Sequence, residues 1–249
     1  MTLMNKIPSN LPPRRRRAFT LIELLVVISV IGVLAGLFLT SMTGIKKKQY
    51  ISTAQAEMAR IETALDNYKA KYGVYPPSNQ NATNVYLPLN DRSQFSQLYY
   101  ELSGTTNTGT AYLSLDGNRM LIGDVNTAYG VGGFINCSKG GGEDAVPAKN
   151  FLLGFNAKLI YYPLTNGVIP TTVLVSSVGG PDLNYQPVKG AGINPFRYVY
   201  PGVINPSSYD LWVQLSIGSS FSGVNAFTTM NKYLICNWTK VVAHNSPLP

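Results

Sequence analysis

The sequence is poor in the side chains on which most chemistry depends. Its 249 residues contain one histidine, two cysteines and only 13% charged side chains. A single histidine, His244, excludes a histidine-based catalytic triad and any multi-histidine metal centre. Two cysteines, Cys137 and Cys236, are too few for a structural zinc site or a disulfide framework. If the head is exported, one disulfide between them is open to it. It would close a loop of roughly 100 residues and constrain the unfolded chain by a few kcal/mol. Two buried thiols are the equal alternative. The glycines at Gly140, Gly141 and Gly142 are not followed by the Lys-Ser/Thr of a phosphate loop. Glu62 and Asp66, one helical turn apart, read as solvated charges, and Glu143 with Asp144 as a solvated loop. No catalysis, metal or cofactor is expected.

Acid is missing from the first 18 residues, where Lys6, Arg14, Arg15, Arg16 and Arg17 supply five positive charges. The formal net charge of +8 is therefore concentrated there; without that segment 15 basic and 12 acidic side chains remain, a net of +3. A nucleic-acid binder would keep its basic stripe on the folded domain, so no specific nucleic-acid partner is expected.

Charge is also absent from Leu24 to Ile45, about 22 residues. At 1.5 Å per residue such a helix spans about 30 Å, the depth of a bilayer core. The arginines before it place the N-terminus in the cytoplasm, and Lys46, Lys47 and Lys48 mark the exit on the far side. A secretory signal peptide would have a shorter apolar core of about 7–15 residues, with the small-residue cleavage site after it. Here the cleavable feature stands before the run. Gly32 and Gly36 add a GxxxG spacing compatible with close helix contact.

That feature, RRRR-AFTLIELLVVISVIGVLAG over 14–36, resembles the leader and first helix of type IV prepilins and pseudopilins. The resemblance implies cleavage between Ala18 and Phe19 by a prepilin peptidase, with Arg14 to Arg17 read as the leader's recognition charges. It also implies methylation of the new Phe19 amine. Ala18 stands where the family usually has glycine, and smallness is retained. Glu23 becomes the fifth mature residue. A carboxylate at the edge of an apolar helix is a functional hypothesis by default. In the family it sets axial register by neutralising a neighbour's amine. The plain alternative is an acid favoured in a first helical turn by the helix dipole.

The stretch 49–72 contains neither Pro nor Gly, and Ala54, Met58, Ile61, Leu65, Tyr68 and Tyr72 recur at four- and three-residue steps. That spacing predicts an amphipathic continuation of the helix, packed on a sheet of the head. Glu57, Arg60, Glu62, Asp66, Lys69 and Lys71 read as its other faces. Gly73 caps it, and Pro76 and Pro77 stop it. Further on, 90–104 reads as a short helix capped by Asn90 or Asp91 and stopped by Gly104. Residues 105–150 are Gly-, Asn- and Thr-rich with the strand-like pieces AYLSL and RMLIG, and 151–163 and 171–178 are β-prone. FRYVYPG, YDLWVQLS and NKYLICNWTK suggest an antiparallel sheet. Asn81-Ala-Thr and Asn237-Trp-Thr match the glycosylation pattern, a spacing common by chance.

AEMARIETALDNYKAKYGVYP and NPFRYVYPG…YDLWVQLSIG are similar to the corresponding elements of the major pseudopilin of type II secretion. The resemblance implies an α+β, pilin-like fold: a long N-terminal helix packed on a C-terminal antiparallel sheet. The expected organisation is a cleaved leader (1–18), a transmembrane assembly helix (19–45), its amphipathic continuation (46–73) and an extracytoplasmic head (74–249). The head would hold an unassigned insertion at about 105–190. Major pseudopilins commonly bind calcium in a C-terminal loop; no Asp or Glu follows Asp210 here, so that site is not carried over. The implied role is a structural subunit of a secretion pseudopilus, forming a homo-oligomeric filament. Its implied partners are prepilin peptidase, the inner-membrane assembly platform and minor pseudopilins. The implied location is the bacterial inner membrane, single pass, with the head in the periplasm. A surface type IV pilus subunit and a membrane-tethered binding module that does not polymerise are the competing readings.

Overall fold

The computed structural model describes residues 20–79, 96–139, 146–155, 160–165, 170–178, 194–216 and 232–244. The chain divides into two units, at Lys46 and Lys47. Helix α1, Leu21–Tyr72, begins in the first and ends in the second. In the first unit its side chains from Leu21 to Leu37 are all exposed. Those of 38–44 and 46 lie outside the described residues. Among the described residues no helix is long and apolar enough to cross a membrane.

In the second unit α1 behaves as its periodicity requires. Ala54, Met58, Ile61, Leu65 and Tyr68 are buried, in one hydrophobic cluster with Leu211, Val213, Leu215, Tyr233 and Ile235. Each large apolar side chain so buried contributes roughly 1.5–3 kcal/mol. Gly73, at φ +77, closes the helix by donating its N–H to the Lys69 carbonyl at 2.8 Å. The left-handed conformation there is one that glycine adopts without steric cost.

The partner sheet is antiparallel, in the order β11-β10-β9-β8. Its strands are β8 (Arg197–Val199), β9 (Asp210–Ser216), β10 (Lys232–Cys236) and β11 (Thr239–His244). Alternation along β9 directs Leu211, Val213 and Leu215 into the helix-side cluster. Trp212 joins a second cluster with Val199, Leu234 and Cys236, as a two-residue period demands. NKYLICNWTK is therefore not one strand: it turns at Asn237 and Trp238 and returns as β11.

The middle of the chain is more ordered than its composition suggests. A second sheet, β3-β2-β1-β4, is built from Thr105–Asn107, Ala111–Ser114, Arg119–Leu121 and Cys137–Lys139 (β1 to β4). It is mixed, since β1 runs parallel to β4. A third, β5-β6-β7, uses Ile160–Thr165, Pro170–Ser176 and Asn194–Pro195. Helix α3, Ile122–Tyr129, begins within the piece read as a strand, RMLIG, and buries Val125, Ala128 and Tyr129. These three, with Tyr112, Met120, Phe134 and Leu152, belong to the same core cluster as α1. Helix α2 is shorter than expected, Leu98–Ser103, and is preceded by Gln97. Asn90 and Asp91 lie outside the described residues. Gly104 does end it, at φ +87.

Candidate assembly surface

The first turn of α1 is closed by a reciprocal capping box. The Glu23 carboxylate accepts the Thr20 backbone N–H at 2.8 Å and its hydroxyl at 2.9 Å; the Glu23 N–H donates back to Thr20 Oγ1 at 3.3 Å. Thr-x-x-Glu at a helix start satisfies two otherwise orphaned donors. Both residues are exposed. Arg14, Arg15, Arg16, Arg17, Ala18 and Phe19 lie outside the described residues.

Beyond the cap the surface is apolar on every side. Leu21, Ile22, Leu24, Val33, Leu34 and Leu37 are each more than half exposed. Ser29 hides its hydroxyl by donating to the Leu25 carbonyl at 2.6 Å, the usual recourse of a hydroxyl in an apolar helix. A Cβ added at Gly32 or Gly36 would meet no atom within 4 Å, so both leave a notch in the helix surface.

In the head, two buried carboxylates, Glu57 and Glu101, tie distant segments together and a third, Asp210, holds its own preceding loop; the sequence reading singled out none of them for this role. Glu57, expected on an outer face, is buried; it accepts the Ser176 hydroxyl at 2.7 Å, the Ser177 N–H at 3.2 Å and the Ser177 hydroxyl. The spacing gave the face but not the partners. Position 57 lies three residues after Ala54 and four before Ile61, which puts it on the apolar face.

Glu101 is fully buried at the N-terminal part of α2. It accepts from Tyr68 Oη at 2.8 Å and from the N–H groups of Ile135 and Asn136 at 3.0 Å each. Asn136 extends the knot. Its Nδ2 donates to the carbonyls of Glu101 and Lys149, both at 2.7 Å, and its Oδ1 accepts from Tyr72 Oη at 2.6 Å. Burial pushes the Glu101 carboxyl above its ordinary value, against the pull of its three donors.

Asp210, at the start of β9, accepts the N–H groups of Val203, Ile204 and Asn205 at 2.7–3.0 Å. A Cβ on Gly202 would sit 2.6 Å from Asp210 Oδ1, so this loop needs glycine to wrap the carboxylate.

The remaining candidate residues have structural roles or none. Cys137 on β4 and Cys236 on β10 are free thiols. The disulfide is not formed: Cys137 packs against the helix-side cluster, and Cys236 belongs to the one with Trp212. Burial raises both thiols above their ordinary value, which keeps them protonated and inert. Glu62 is half-buried rather than solvated, and burial followed by the nearby Asp66 charge raises its carboxyl. Asn237 spends its amide on the fold, donating to the Tyr209 carbonyl at 2.8 Å and accepting the Leu211 N–H at 3.0 Å. It is not a free glycan acceptor. Asn81 lies outside the described residues.

Residues 13–39 match the prokaryotic N-terminal methylation motif. The chain carries a prepilin-type start. Its N-terminal quarter is similar to proteins named type II secretion system core protein G. That of Escherichia coli (strain K12) is 42% identical over 71 residues, covering 28% of this chain and 49% of the relative. That of Dickeya chrysanthemi is 40% identical over 67 residues, 27% of this chain and 44% of the relative. That of Vibrio cholerae is 36% identical over 67 residues, 27% and 46%. The chain thus spans less than half the length of these curated relatives. No solved structure matches it. The α+β architecture, an N-terminal helix followed by largely antiparallel sheets, is consistent with a pilin-like fold.

Proposed function

We propose that this chain is a structural subunit of a type II secretion pseudopilus and makes or breaks no bond itself. The observation that carries this is the coincidence, in one N-terminal segment, of the methylation motif with 36–42% identity to secretion core protein G. In this reading prepilin peptidase recognises Arg14 to Arg17, cuts between Ala18 and Phe19, and the Phe19 amine is methylated. The exposed apolar helix then anchors the subunit in the inner membrane, N-terminus cytoplasmic and head periplasmic. On assembly its side chains exchange lipid for neighbouring copies. The assembly platform and minor pseudopilins would be the further partners.

Glu23 is the polar group on which register turns. Bound to its own Thr20, the carboxylate has its charge partly satisfied by the chain that carries it. Two lone-pair directions on the carboxylate stay open to a neighbour's amine. A helix otherwise apolar on all sides can slide against its copies; a single ion pair per subunit selects one offset.

The test joins two measurements on the native protein. Mass analysis should find an N-terminus at methylated Phe19, and deletion of the gene should abolish release of secreted enzymes. An intact Met1, or normal secretion with loss of surface fibres, would overturn the reading.

A further inference from the structure

We infer that the end of the head where α1 enters it is a cationic seat for anionic phospholipid headgroups. The inference rests on the membrane-anchored reading of the first helix. Lys47 and Lys48 are the first two residues of the second unit, and both are exposed, as is Tyr50. Lys47 Nζ lies 4.6 Å from the ring centroid of Tyr233, which brings the beginning of β10 to this end of the helix.

The stretches that meet here, 24–56 and the chain after Asp210, carry no acid. The cations are therefore not neutralised from their own stretches of chain. Lysines at successive helical positions point about 100° apart, so a run of them fans around the axis as a collar instead of forming one face. Lysine and tyrosine together suit the boundary between lipid and water, where the ring sits at headgroup level and the ammonium meets phosphate. The exposed ring here is Tyr50, whereas Lys47 lies over Tyr233, a ring of the buried core. Phosphate-bearing lipid is favoured over a neighbour's acidic patch because the collar directly follows the apolar segment in sequence. The positive-inside asymmetry is thereby weakened, and an anionic lipid partner on the head's side offsets the cost.

The test uses the full chain, incorporated by detergent removal into vesicles of phosphatidylcholine alone or with phosphatidylglycerol. Flotation establishes whether the chain enters each membrane. Acylation of individual lysines, followed by mass spectrometry, then reports how accessible each amine is. Lys47 and Lys48 should react about five-fold more slowly in the anionic vesicles, the weight of one surface lysine. High salt should erase the difference, and Lys71, at the far end of α1, should react alike in both. In Lys47→Gln/Lys48→Gln, the slowing should be halved or more at Lys46. Equal rates in the two lipids, with normal flotation, would overturn the inference and leave anchoring intact. Slowing that follows protein density and not lipid charge would assign the collar to a second copy and also overturn it. A chain that floats with neither vesicle would defeat the anchored reading itself.

Discussion

The phenol of Tyr68, in the last turns of α1, donates a 2.8 Å hydrogen bond to the buried carboxylate of Glu101 on α2. This bond joins the long helix to the element that opens the middle of the chain. Two backbone N–H groups from 135–136 complete the carboxylate's shell. Tyr68→Phe should cost about 1.5–3 kcal/mol, the worth of a hydrogen bond to a charged group. Glu101→Gln should cost at least as much, because its NH2 would face donors. Burial holds the Glu101 carboxyl above its ordinary value of 4.5. The folded state therefore binds this proton more tightly than the unfolded chain does. The group's contribution is complete below pH 4.5 and declines as pH rises through the folded value. Urea unfolding of the detergent-solubilised chain should accordingly show a larger penalty for Glu101→Gln near pH 4 than at pH 7. A penalty that grows with pH would contradict the assignment.

Glu57 performs a similar service for β6. Glu57→Ala would leave the hydroxyls and N–H of Ser176 and Ser177 without their acceptor, at a cost of roughly 1–3 kcal/mol. The loss should be local first. Hydrogen exchange in 173–178 should accelerate ~10-fold or more while that of 61–72 changes little. Uniform acceleration across both segments would mean that the carboxylate supports the whole core instead of one latch.

Alkali should unfold the head cooperatively. Burial pushes Tyr100 up to about 12 and raises Tyr68, Tyr198 and Tyr209 as well, with Glu101 adding to the rise at Tyr68. Unfolded tyrosines lose their protons near pH 10. Stability from these four groups is complete below that pH and declines as pH rises above it. Absorbance of tyrosinate should therefore rise in two stages: exposed rings first, then the buried set together with loss of secondary structure. A single smooth titration without unfolding would refute the burial of these rings.

On the proposed function, changes in the Thr20–Glu23 box should affect assembly and not processing. Glu23→Ala should leave peptidase cleavage within about two-fold of normal, since the basic leader and small residue are untouched. Sheared filament should fall ~10-fold or more, because the proposed ion pair with the neighbouring subunit's amine would be gone. Thr20→Val removes only the hydroxyl arm of the cap and should reduce filament less. Immunoblots of cleaved subunit and of the sheared fraction measure the two steps separately. Normal filament from Glu23→Ala would remove the register role.

The elements most legible in sequence were those with a strong period or a hard stop. The buried face of 54–68 and its end at Gly73 followed from spacing and cap chemistry alone. So did the strands containing Leu211, Val213 and Leu215, where alternating apolar residues stand between Pro and Gly. What stayed hidden were the contacts between segments far apart in the chain. Residues 122–129 carry only a weak helical pattern, and packing of Val125 and Tyr129 on the core decides their state. Glu57 looked solvated because acids are counted as surface; only Ser176 and Ser177, 119 and 120 residues away, turn its position into a buried acceptor.

The sequence by itself determined the N-terminal half of the argument. A charge-free run, four arginines, a small residue and Glu23 act through local chemistry and need no tertiary partner to be recognised. The head was decided by tertiary structure: which carboxylates are buried, that Cys137 and Cys236 remain thiols, and that the helix and the last hairpin bring Lys47 to Tyr233. Contacts such as Glu57 with Ser176 or Lys47 with Tyr233 depend on three-dimensional distance between residues more than a hundred positions apart, and no local pattern encodes that distance.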